Sequence, residues 1–168
     1  AMTFADNAVA KTLGQVWFPG LPRLLDKLII PEAELLVFNY IDGKTLEETI
    51  RSAPGGLPAE QTLAIMLQMA KTLDFLHRQM DRPLMHLDIK PANIVLSETG
   101  QAALIDFDSA RFFRNTQSEQ ESRLTCTMDY AAPELLCNEP CPASDIYSLG
   151  LCFLQAMTGV NQINHNQQ

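Results

Sequence analysis

The pattern of apolar and polar positions in residues 1–41 predicts the end of a helix followed by two strands. Residues 4–16 are typical of the back half of a helix that ends near Gly14, because glycine favours a helix terminus. After a turn rich in proline and glycine, residues 24–30 and 34–41 contain mostly aliphatic and aromatic side chains, which is typical of strands. A small sheet beside a helix is therefore expected here.

The rest of the chain is mainly helical in pattern. Thr45 followed three residues later by Glu48 indicates a capped helix start. Apolar residues recur at helical spacing in residues 58–78, which predicts a long amphipathic helix. Residues 144–159 predict a second long helix, with Ser144 as its N-cap and apolar side chains on most sides. The predicted buried residues are Leu63, Leu67, Leu73, Leu76, Ile94, Leu104, Ile146, Leu149 and Phe153.

Between these helices the sequence predicts a hairpin and a long loop. Residues 93–97 and 102–106 are typical of two short strands joined by a turn. Residues 112–126 are polar and have no periodic pattern, and loops of this length are typically functional or disordered.

Composition and charge narrow the function classes. The 168 residues include 46% hydrophobic and 19% charged residues, which is typical of one globular domain. The net charge of −8 argues against nucleic acid and anionic membranes as partners. No apolar run reaches the roughly 18 residues that a spanning helix needs. The cysteines have no paired CxxC spacing, so free thiols and a reducing cytoplasm are expected: Cys126, Cys137, Cys141 and Cys152.

The candidate chemistry lies at the ends of the predicted hairpin. Asp88, Lys90 and Asn93 come just before its first strand, and Asp106 ends its second strand. The hairpin would return Asp106 to the side on which Asn93 lies. Carboxylate and amide oxygens suit Mg²⁺ bound beside phosphate, a lysine suits the phosphate itself, and a free carboxylate accepts a hydroxyl proton. Phosphoryl transfer needs these parts.

Four motifs in order extend this interpretation: "HLDIKPAN" from residue 86, "DFD" from 106, "CTMDYAAPE" from 126 and "SDIYSLG" from 144. From about Phe18 to Gly159 the chain resembles the central part of a Ser/Thr protein kinase domain. The resemblance implies an α+β, protein-kinase-like fold, with a mainly helical C-lobe and a remnant of the N-lobe sheet. Residues 1–41 would be a partial N-lobe, with the end of helix C, strands 4 and 5 and the hinge. Residues 42–168 would be a C-lobe truncated after the helix that ends near Gly159.

The resemblance also implies catalytic roles. Asp88 would be the catalytic base and Lys90 would contact the transferred phosphate, while Thr127 would brace the catalytic loop. Asn93 and Asp106 would hold Mg²⁺. ATP and Mg²⁺ are therefore the expected cofactors.

A nucleotide site follows from the same resemblance. Phe38 would be the gatekeeper residue. Asn39, Tyr40 and Ile41 would form the hinge that meets adenine through its backbone, and Val95 would also bind the nucleotide.

Several departures from the family pattern change the expectations. Leu87 replaces the arginine of H-R-D, so ordering of the activation segment by a phosphate is not expected. Asp108 replaces the glycine of D-F-G. No G-x-G-x-x-G opens the sequence, and "AVAK" at residues 8–11 is typical of a helix rather than of the strand with the lysine. Glu134 would lack its usual arginine partner, and Asp145 would anchor the backbone of the catalytic loop.

Three functions remain open at this point. The first is a Ser/Thr kinase core that is incomplete or partner-dependent, whose partners are a protein substrate, a completing protein or a second copy bound through residues 1–41. Alone it would bind ATP·Mg²⁺ weakly and transfer phosphate slowly or not at all. The second is a pseudokinase-type scaffold that binds proteins without catalysis. The third is a small-molecule phosphotransferase of the aminoglycoside or choline kinase type, which "IDFD" also resembles, although "CTMDYAAPE" and Lys90 favour protein kinases.

Overall fold

A computed structural model describes residues 7–30, 33–113 and 127–160. These residues form α-helices α1 (Asn7–Leu13), α2 (Leu46–Arg51), α3 (Ala59–Asp74), α4 (Pro133–Leu136) and α5 (Pro142–Thr158). The strands are β1 (Leu24–Ile30), β2 (Ala33–Phe38), β3 (Lys44–Thr45), β4 (Leu84–Met85), β5 (Ile94–Leu96), β6 (Ala102–Leu104) and β7 (Arg111–Phe112). A π-helical turn spans Phe75–Gln79, and 3₁₀ turns span Pro91–Asn93 and Met128–Tyr130. In these residues no helix is both long enough and apolar enough to cross a membrane.

The predicted helix end and the two strands of the N-terminal region are confirmed. Helix α1 includes residues 8–11, and β1 pairs antiparallel with β2, from Leu24 opposite Phe38 to Ile30 opposite Ala33. Within the described residues this sheet has only two strands. Side chains along β1 are therefore exposed, and Ile29 has 80% of its surface open to solvent.

The predicted hairpin is also confirmed, and it is fastened to α3. Strands β5 and β6 pair antiparallel, and β3 pairs with the other edge of β5. The side chain of Gln68 on α3 donates to the carbonyl of Gly100 at 3.0 Å and accepts from the amide of Ala102 at 3.0 Å. The start of β6 therefore has a fixed position on the helical part of the molecule.

Helix α2 begins with the capping box that the sequence predicted. The Thr45 hydroxyl accepts from the Glu48 amide at 3.1 Å, and the Glu48 carboxylate accepts from the Thr45 amide at 2.8 Å. These bonds hold the pKa of Glu48 below its ordinary value.

The main core lies between α3, α5 and the hairpin. Five of the predicted core residues are buried, and Phe153 packs against the core while partly buried; the five are Leu73, Leu76, Ile94, Leu104 and Leu149. The prediction is wrong for Leu63, Leu67 and Ile146, which are 57%, 57% and 52% exposed. On α3 the buried stripe instead includes Thr62, Ile65, Met66 and Met69.

Helix α5 departs from the prediction because one side of it is exposed and because polar residues form the first part of its buried face. Ser144, Asp145 and Ser148 are buried and hydrogen-bonded, while Tyr147 and Leu154 are exposed. Buried polar groups are tolerated where they are hydrogen-bonded. The prediction that α5 is buried on most sides is therefore wrong.

The start of α5 also differs from the predicted start. Its N-cap is Cys141, with Pro142 in the first turn, so the prediction of Ser144 as N-cap is wrong. The Ser144 hydroxyl donates to the Glu134 carboxylate at 2.6 Å, which lowers the pKa of Glu134. Glu134 therefore has a partner, contrary to the expectation from the sequence.

Three of the four cysteines lie in the described residues and are free thiols, as expected. Cys152 is fully buried on α5, and burial raises its pKa to about 12. Cys126 and most of the predicted loop 112–126 lie outside the described residues, as do residues 1–6 and 161–168.

Candidate active site

The candidate site is built on the segment between β4 and β5. His86 to Lys90 are extended or irregular, and Pro91 then starts the 3₁₀ turn that leads into β5. Proline suits this position because its missing N–H would have no partner in a first turn. The turn brings the side chain of Asn93 back towards Asp88, because the Asn93 amide nitrogen donates to the Asp88 carbonyl at 2.9 Å.

The Asp88 carboxylate accepts four hydrogen bonds. One oxygen accepts from the Thr127 amide at 3.0 Å and from the Thr127 hydroxyl at 2.7 Å. The other oxygen accepts from the Lys90 ammonium at 2.7 Å and from the Asn93 side chain at 3.2 Å. Burial raises the pKa of Asp88, but the bonds from Lys90 and Thr127 outweigh this and hold the pKa below its ordinary value. Asp88 is therefore a carboxylate at neutral pH.

Lys90 joins Asp88 to Thr127, the first described residue after residues 114–126. Its ammonium also donates to the Thr127 hydroxyl at 2.9 Å, so Asp88, Lys90 and Thr127 form a closed triangle. The side chain of Asp88 is 13% exposed and that of Lys90 is 24% exposed. The triangle therefore remains accessible from the solvent.

Asn93 and Asp106 offer oxygens that could hold a metal ion. Asn93 is buried, and its amide nitrogen is occupied by Asp88, while its amide oxygen accepts no hydrogen bond within the described residues. One Asp106 oxygen accepts weakly from the Asp108 amide at 3.4 Å. The backbone joins the two positions, since the Ile105 amide donates to the Asn93 carbonyl at 2.9 Å. Hard oxygens of this kind suit Mg²⁺.

Asp106 and Asp108 also have unusual properties. Asp106 has a φ of 64°, a left-handed conformation that is costly for a residue with a Cβ. Burial, and to a smaller degree the charge of Asp106, raise the pKa of Asp108. The two carboxyl groups therefore disfavour each other's charge, and a cation would relieve this repulsion.

His86 and His77 support the site, and the sequence analysis gave neither of them a role. His86 is fully buried, and burial lowers its pKa despite the nearby charge of Asp145. Its Nε2 lies 3.0 Å from the Ile105 carbonyl, and its Nδ1 lies 3.3 Å from the Asp88 amide, so the neutral ring donates from Nε2 and accepts at Nδ1. Its place as the first residue of "HLDIKPAN" was the only sequence signal for His86.

Asp145 lies beneath this segment, as the sequence predicted. Its carboxylate accepts from the amides of His86 at 2.9 Å and Leu87 at 2.8 Å, and it lies 2.8 Å from Nε2 of His77. His77 comes from the π-helical turn after α3. Two helices therefore meet at the backbone of the candidate loop.

The predicted nucleotide site coincides with a cavity of about 350 Å³. Its lining includes four of the five predicted residues, Asn39, Tyr40, Ile41 and Val95. Phe38 does not line the cavity and packs against the main core. The other lining residues are Pro22, Gly43, Thr45, Glu48 and Ile105. A cavity of this size is within the usual range for small ligands.

Asn39 explains the shape of the cavity wall. Its side-chain oxygen accepts from the Arg23 amide at 2.6 Å, and its own amide donates to the Arg23 carbonyl at 2.9 Å. The end of β2 is thereby tied to the residue before β1. The amide side chain thus holds the wall in place.

Comparison with known proteins agrees with this arrangement. A family model described as "Protein kinase domain" matches residues 11–168, and the chain belongs to this family. Over 165 residues it is 30% identical to a proline-rich receptor-like protein kinase of Arabidopsis thaliana, covering 96% of this chain and 23% of that protein. It is 34% identical over 152 residues to a putative receptor-like protein kinase of the same plant, covering 87% of this chain and 33% of that protein.

A third relative comes from rice. A leucine-rich repeat receptor protein kinase of Oryza sativa subsp. japonica is 31% identical over 155 residues, covering 91% of this chain and 11% of that protein. The chain therefore spans a third or less of these relatives. The family uses ATP and a divalent metal ion in general.

Proposed function

We propose that the chain is the core of a protein serine/threonine kinase that transfers the γ-phosphoryl group of ATP to a Ser or Thr hydroxyl of a protein. The arrangement around Asp88 carries the proposal. Its lowered pKa keeps the carboxylate unprotonated, so it can accept the proton of a substrate hydroxyl once that hydroxyl displaces one of the present donors. The ammonium of Lys90 then lies beside the attacking oxygen, where it interacts with the transferred phosphate.

The metal site of this proposal consists of Asn93 and Asp106. The amide oxygen of Asn93 has no hydrogen bond in the described residues, and the Asp106 carboxylate has only one weak bond, so both fit a hard cation. Mg²⁺ bound there would neutralise charge on the phosphates of ATP. Adenine would occupy the 350 Å³ cavity against the backbone of residues 39–41 and Val95, and the gatekeeper role of Phe38 stays a prediction.

The exposed strand β1 supports the proposal that the kinase core needs further protein to complete its N-lobe sheet. In this proposal residues 1–41 are a partial N-lobe and residues 42–168 a C-lobe, and the two-stranded sheet is completed by other protein. A second copy bound through residues 1–41 is one such completion, because exposed sheet edges pair readily. The free cysteines support a cytoplasmic location.

Association can be tested with a matched pair of substitutions. Ile29→Lys places a charge on the exposed strand β1, whereas Leu67→Lys places one on an exposed position of α3. In light scattering over a concentration series, we expect wild type and Leu67→Lys to associate and Ile29→Lys to remain monomeric. A wild-type chain that is monomeric at all concentrations argues against the homodimer.

Catalysis is tested by labelling a mixed Ser/Thr peptide substrate with radioactive ATP and Mg²⁺. We expect slow transfer by the wild-type chain, loss of transfer in Asp88→Asn, and no change in Asp81→Asn, because Asp81 is exposed and outside the site. Transfer that survives in Asp88→Asn would refute the proposed base. Transfer to an aminoglycoside or to choline instead of the peptide would favour the small-molecule alternative.

A second candidate is a pseudokinase-type scaffold that binds proteins without catalysis. One observation favours it: both oxygens of Asp88 are already occupied by two donors each. If these bonds persist when a substrate is present, Asp88 is a structural group. Complete absence of transfer in wild type would support this candidate.

A further inference from the structure

A second cavity, of about 170 Å³, lies where the turn before β1 meets α3 and the start of β6. Its lining includes Phe18, Pro19, Gly20, Gln68, Lys71 and Ala102. It shares no lining residue with the candidate nucleotide cavity. A cavity of this size holds about one aromatic ring, because an engineered apolar cavity of about 150 Å³ binds benzene.

The walls of this second cavity are held by contacts within the chain. The Leu104 amide donates to the Gly20 carbonyl at 2.8 Å, and the Phe18 ring stacks on Phe75 with the ring centres 4.5 Å apart. Gly20 has a φ of 98°, and a Cβ there would lie 2.6 Å from the hydroxyl oxygen of Thr72. Glycine therefore lets the turn lie this close to α3. The cavity is formed before any ligand arrives.

The interior of the second cavity favours an apolar group. Phe18 and Pro19 contribute rings to the lining, and Ala102 contributes a methyl group. The side chain of Gln68 is already bonded to the backbone of Gly100 and Ala102. A polar group that entered would lose its bonds to water and gain few in return, which costs free energy. An aromatic or aliphatic group would gain free energy by leaving water.

Lys71 places a positive charge beside this apolar interior. It is exposed on α3, and its ammonium has no hydrogen bond or ion pair with any residue that the structure describes. The nearest acidic residue along the helix, Asp74, is already paired with Arg78 at 3.5 Å and with Gln79 at 2.8 Å. Glu98, in the turn of the hairpin, does not line the cavity. A ligand that carries a carboxylate next to an apolar group would match both features.

Apolar side chains are also exposed next to the lining residues. Leu67 lies one helical turn before Lys71, and Leu63 lies one turn before Leu67; both are more than half exposed. Trp17, directly before Phe18 in the chain, is 73% exposed. Exposed apolar patches mark protein interfaces, in which tryptophan is enriched. A free small molecule would need the cavity alone.

We propose that the second cavity and its apolar surroundings are a docking site for a short segment of a partner protein. An aromatic side chain of that segment enters the cavity, and a carboxylate near it in sequence pairs with Lys71. Because the chain has a net charge of −8, it repels acidic partners in general, and the unpaired lysine specifies where one can dock. The site does not depend on phosphate transfer and goes beyond the proposed kinase function.

The first test uses a capped pentapeptide with a central phenylalanine, a glutamate on each side of it and an alanine at each end. Trp17 is the only tryptophan in the sequence and adjoins a lining residue, so its fluorescence reports binding. We expect a saturable change with a Kd below about 1 mM. Replacing both glutamates by glutamine, or the phenylalanine by alanine, should weaken binding about tenfold. No saturable change, or equal binding of the glutamine peptide, would overturn the proposal.

Two variants with the same change in net charge test the pairing with the carboxylate. Lys71→Glu should weaken binding of the peptide about tenfold. Lys44→Glu changes an exposed lysine that does not line the second cavity, and it should leave binding unchanged. Lys71→Arg should retain binding because it keeps the charge. Equal losses in Lys71→Glu and Lys44→Glu would mean that net charge alone determines binding, contrary to the proposal.

Nuclear magnetic resonance locates the aromatic ring of the peptide without any substitution. We expect nuclear Overhauser contacts between that ring and the methyl group of Ala102, which lines the second cavity. The methyl groups of Val95, in the candidate nucleotide cavity, should show none. Contacts with Val95 and not with Ala102 would place the peptide in the wrong cavity and refute the proposal.

Other occupants of this surface would give different results. Binding of 3-phenylpropionate, a free aromatic carboxylate, as tightly as the peptide would indicate a small-molecule site. Association of the chain that is lost in Leu67→Lys but kept in Ile29→Lys would indicate that a second copy covers this surface. Either result would overturn docking of a partner segment.

Discussion

Asp145 and Asp88 are both carboxylates with several donors, but they differ in how deeply their donors are buried. Asp145 is almost fully buried and serves two backbone amides and the largely buried His77. Asp88 is bound by Lys90 and Thr127, and Lys90 retains access to solvent. Solvent can replace a lost partner at the second site but not at the first.

Asp145→Ala should therefore destabilise the fold more than Asp88→Ala. Each donor stranded in the interior costs roughly 1–3 kcal/mol, so we expect a loss of at least about 3 kcal/mol for Asp145→Ala and about 1–3 kcal/mol for Asp88→Ala. Denaturant unfolding without Mg²⁺ measures both, with the exposed Asp81→Ala as control. The opposite order would show that the support of the loop backbone by Asp145 contributes little stability.

His86 should make stability depend on pH. Its pKa is lowered in the folded state, so below the ordinary histidine pKa of about 6.5 the unfolded chain binds a proton that the folded protein does not. Stability from this group is complete above about pH 6.5 and falls as the pH decreases, by up to about 1.4 kcal/mol per pH unit, until the folded pKa is reached. Unfolding curves between pH 7.5 and 5 should show this slope in wild type and a smaller slope in His86→Gln.

At the scale of elements, α3 shows how a helix can be predicted correctly while its buried face is not. Its limits and amphipathic character follow from the spacing of apolar residues, which is a property of the sequence alone. The choice between Leu67 and Met66 as the buried residue depends on the neighbouring hairpin and α5. Those neighbours are distant in sequence, so no local pattern contains the answer.

Two leucines of α3 provide the corresponding test. Leu73 is fully buried in the main core, and Leu67 is exposed on the same helix. Leu73→Ala should cost about 2–5 kcal/mol because it leaves a cavity, whereas Leu67→Ala should change stability by less than about 0.5 kcal/mol. Chemical denaturation of the two variants distinguishes these outcomes, and similar losses in both would mean that the buried face is assigned incorrectly.

In the candidate site, too, features determined by neighbouring residues were predictable from the sequence, whereas contacts between distant residues were not. The capping box of α2 and the β5–β6 hairpin were predictable because their signals lie within a few residues. The bond of Asp145 to His77 joins positions 68 residues apart, and the sequence analysis did not anticipate it. The partner that Glu134 finds in Ser144 was missed because the N-cap of α5 is Cys141, three residues before the predicted N-cap.

On the scale of the whole molecule, the described residues enclose the candidate nucleotide site on one side only. The described lining of the cavity comes from Pro22, residues 39–41, the segment from Gly43 to the first turn of α2, and two residues of the hairpin region, Val95 in β5 and Ile105 after β6. A cleft that encloses only part of a ligand buries less apolar area and screens charges more strongly. Affinity for ATP should therefore be low in this chain alone.

The expected result is a small or absent shift in thermal unfolding at about millimolar ATP with Mg²⁺. A ligand at about 100 times its Kd would stabilise the fold by about 2.7 kcal/mol, and we expect much less. Scanning calorimetry with and without ATP·Mg²⁺ measures this, with Asp106→Asn as control for the metal site. A large shift that disappears in Asp106→Asn would contradict the expectation and show that the cleft binds nucleotide without further protein.

The π-helical turn after α3 determines the direction in which the residues that follow α3 face the candidate catalytic loop. In Phe75–Gln79 the chain winds more widely than an α-helix. The side-chain amide of Gln79 donates to the Asp74 carboxylate at 2.8 Å. A wide turn of this kind behaves as a one-residue insertion. Deleting one residue from this turn would restore α-helical winding. The residues after the deletion would then be rotated by about 100° relative to α3. A deletion placed before His77 would therefore separate His77 from Asp145. The number of residues in this one turn thus determines whether the helix in the core supports the candidate catalytic loop.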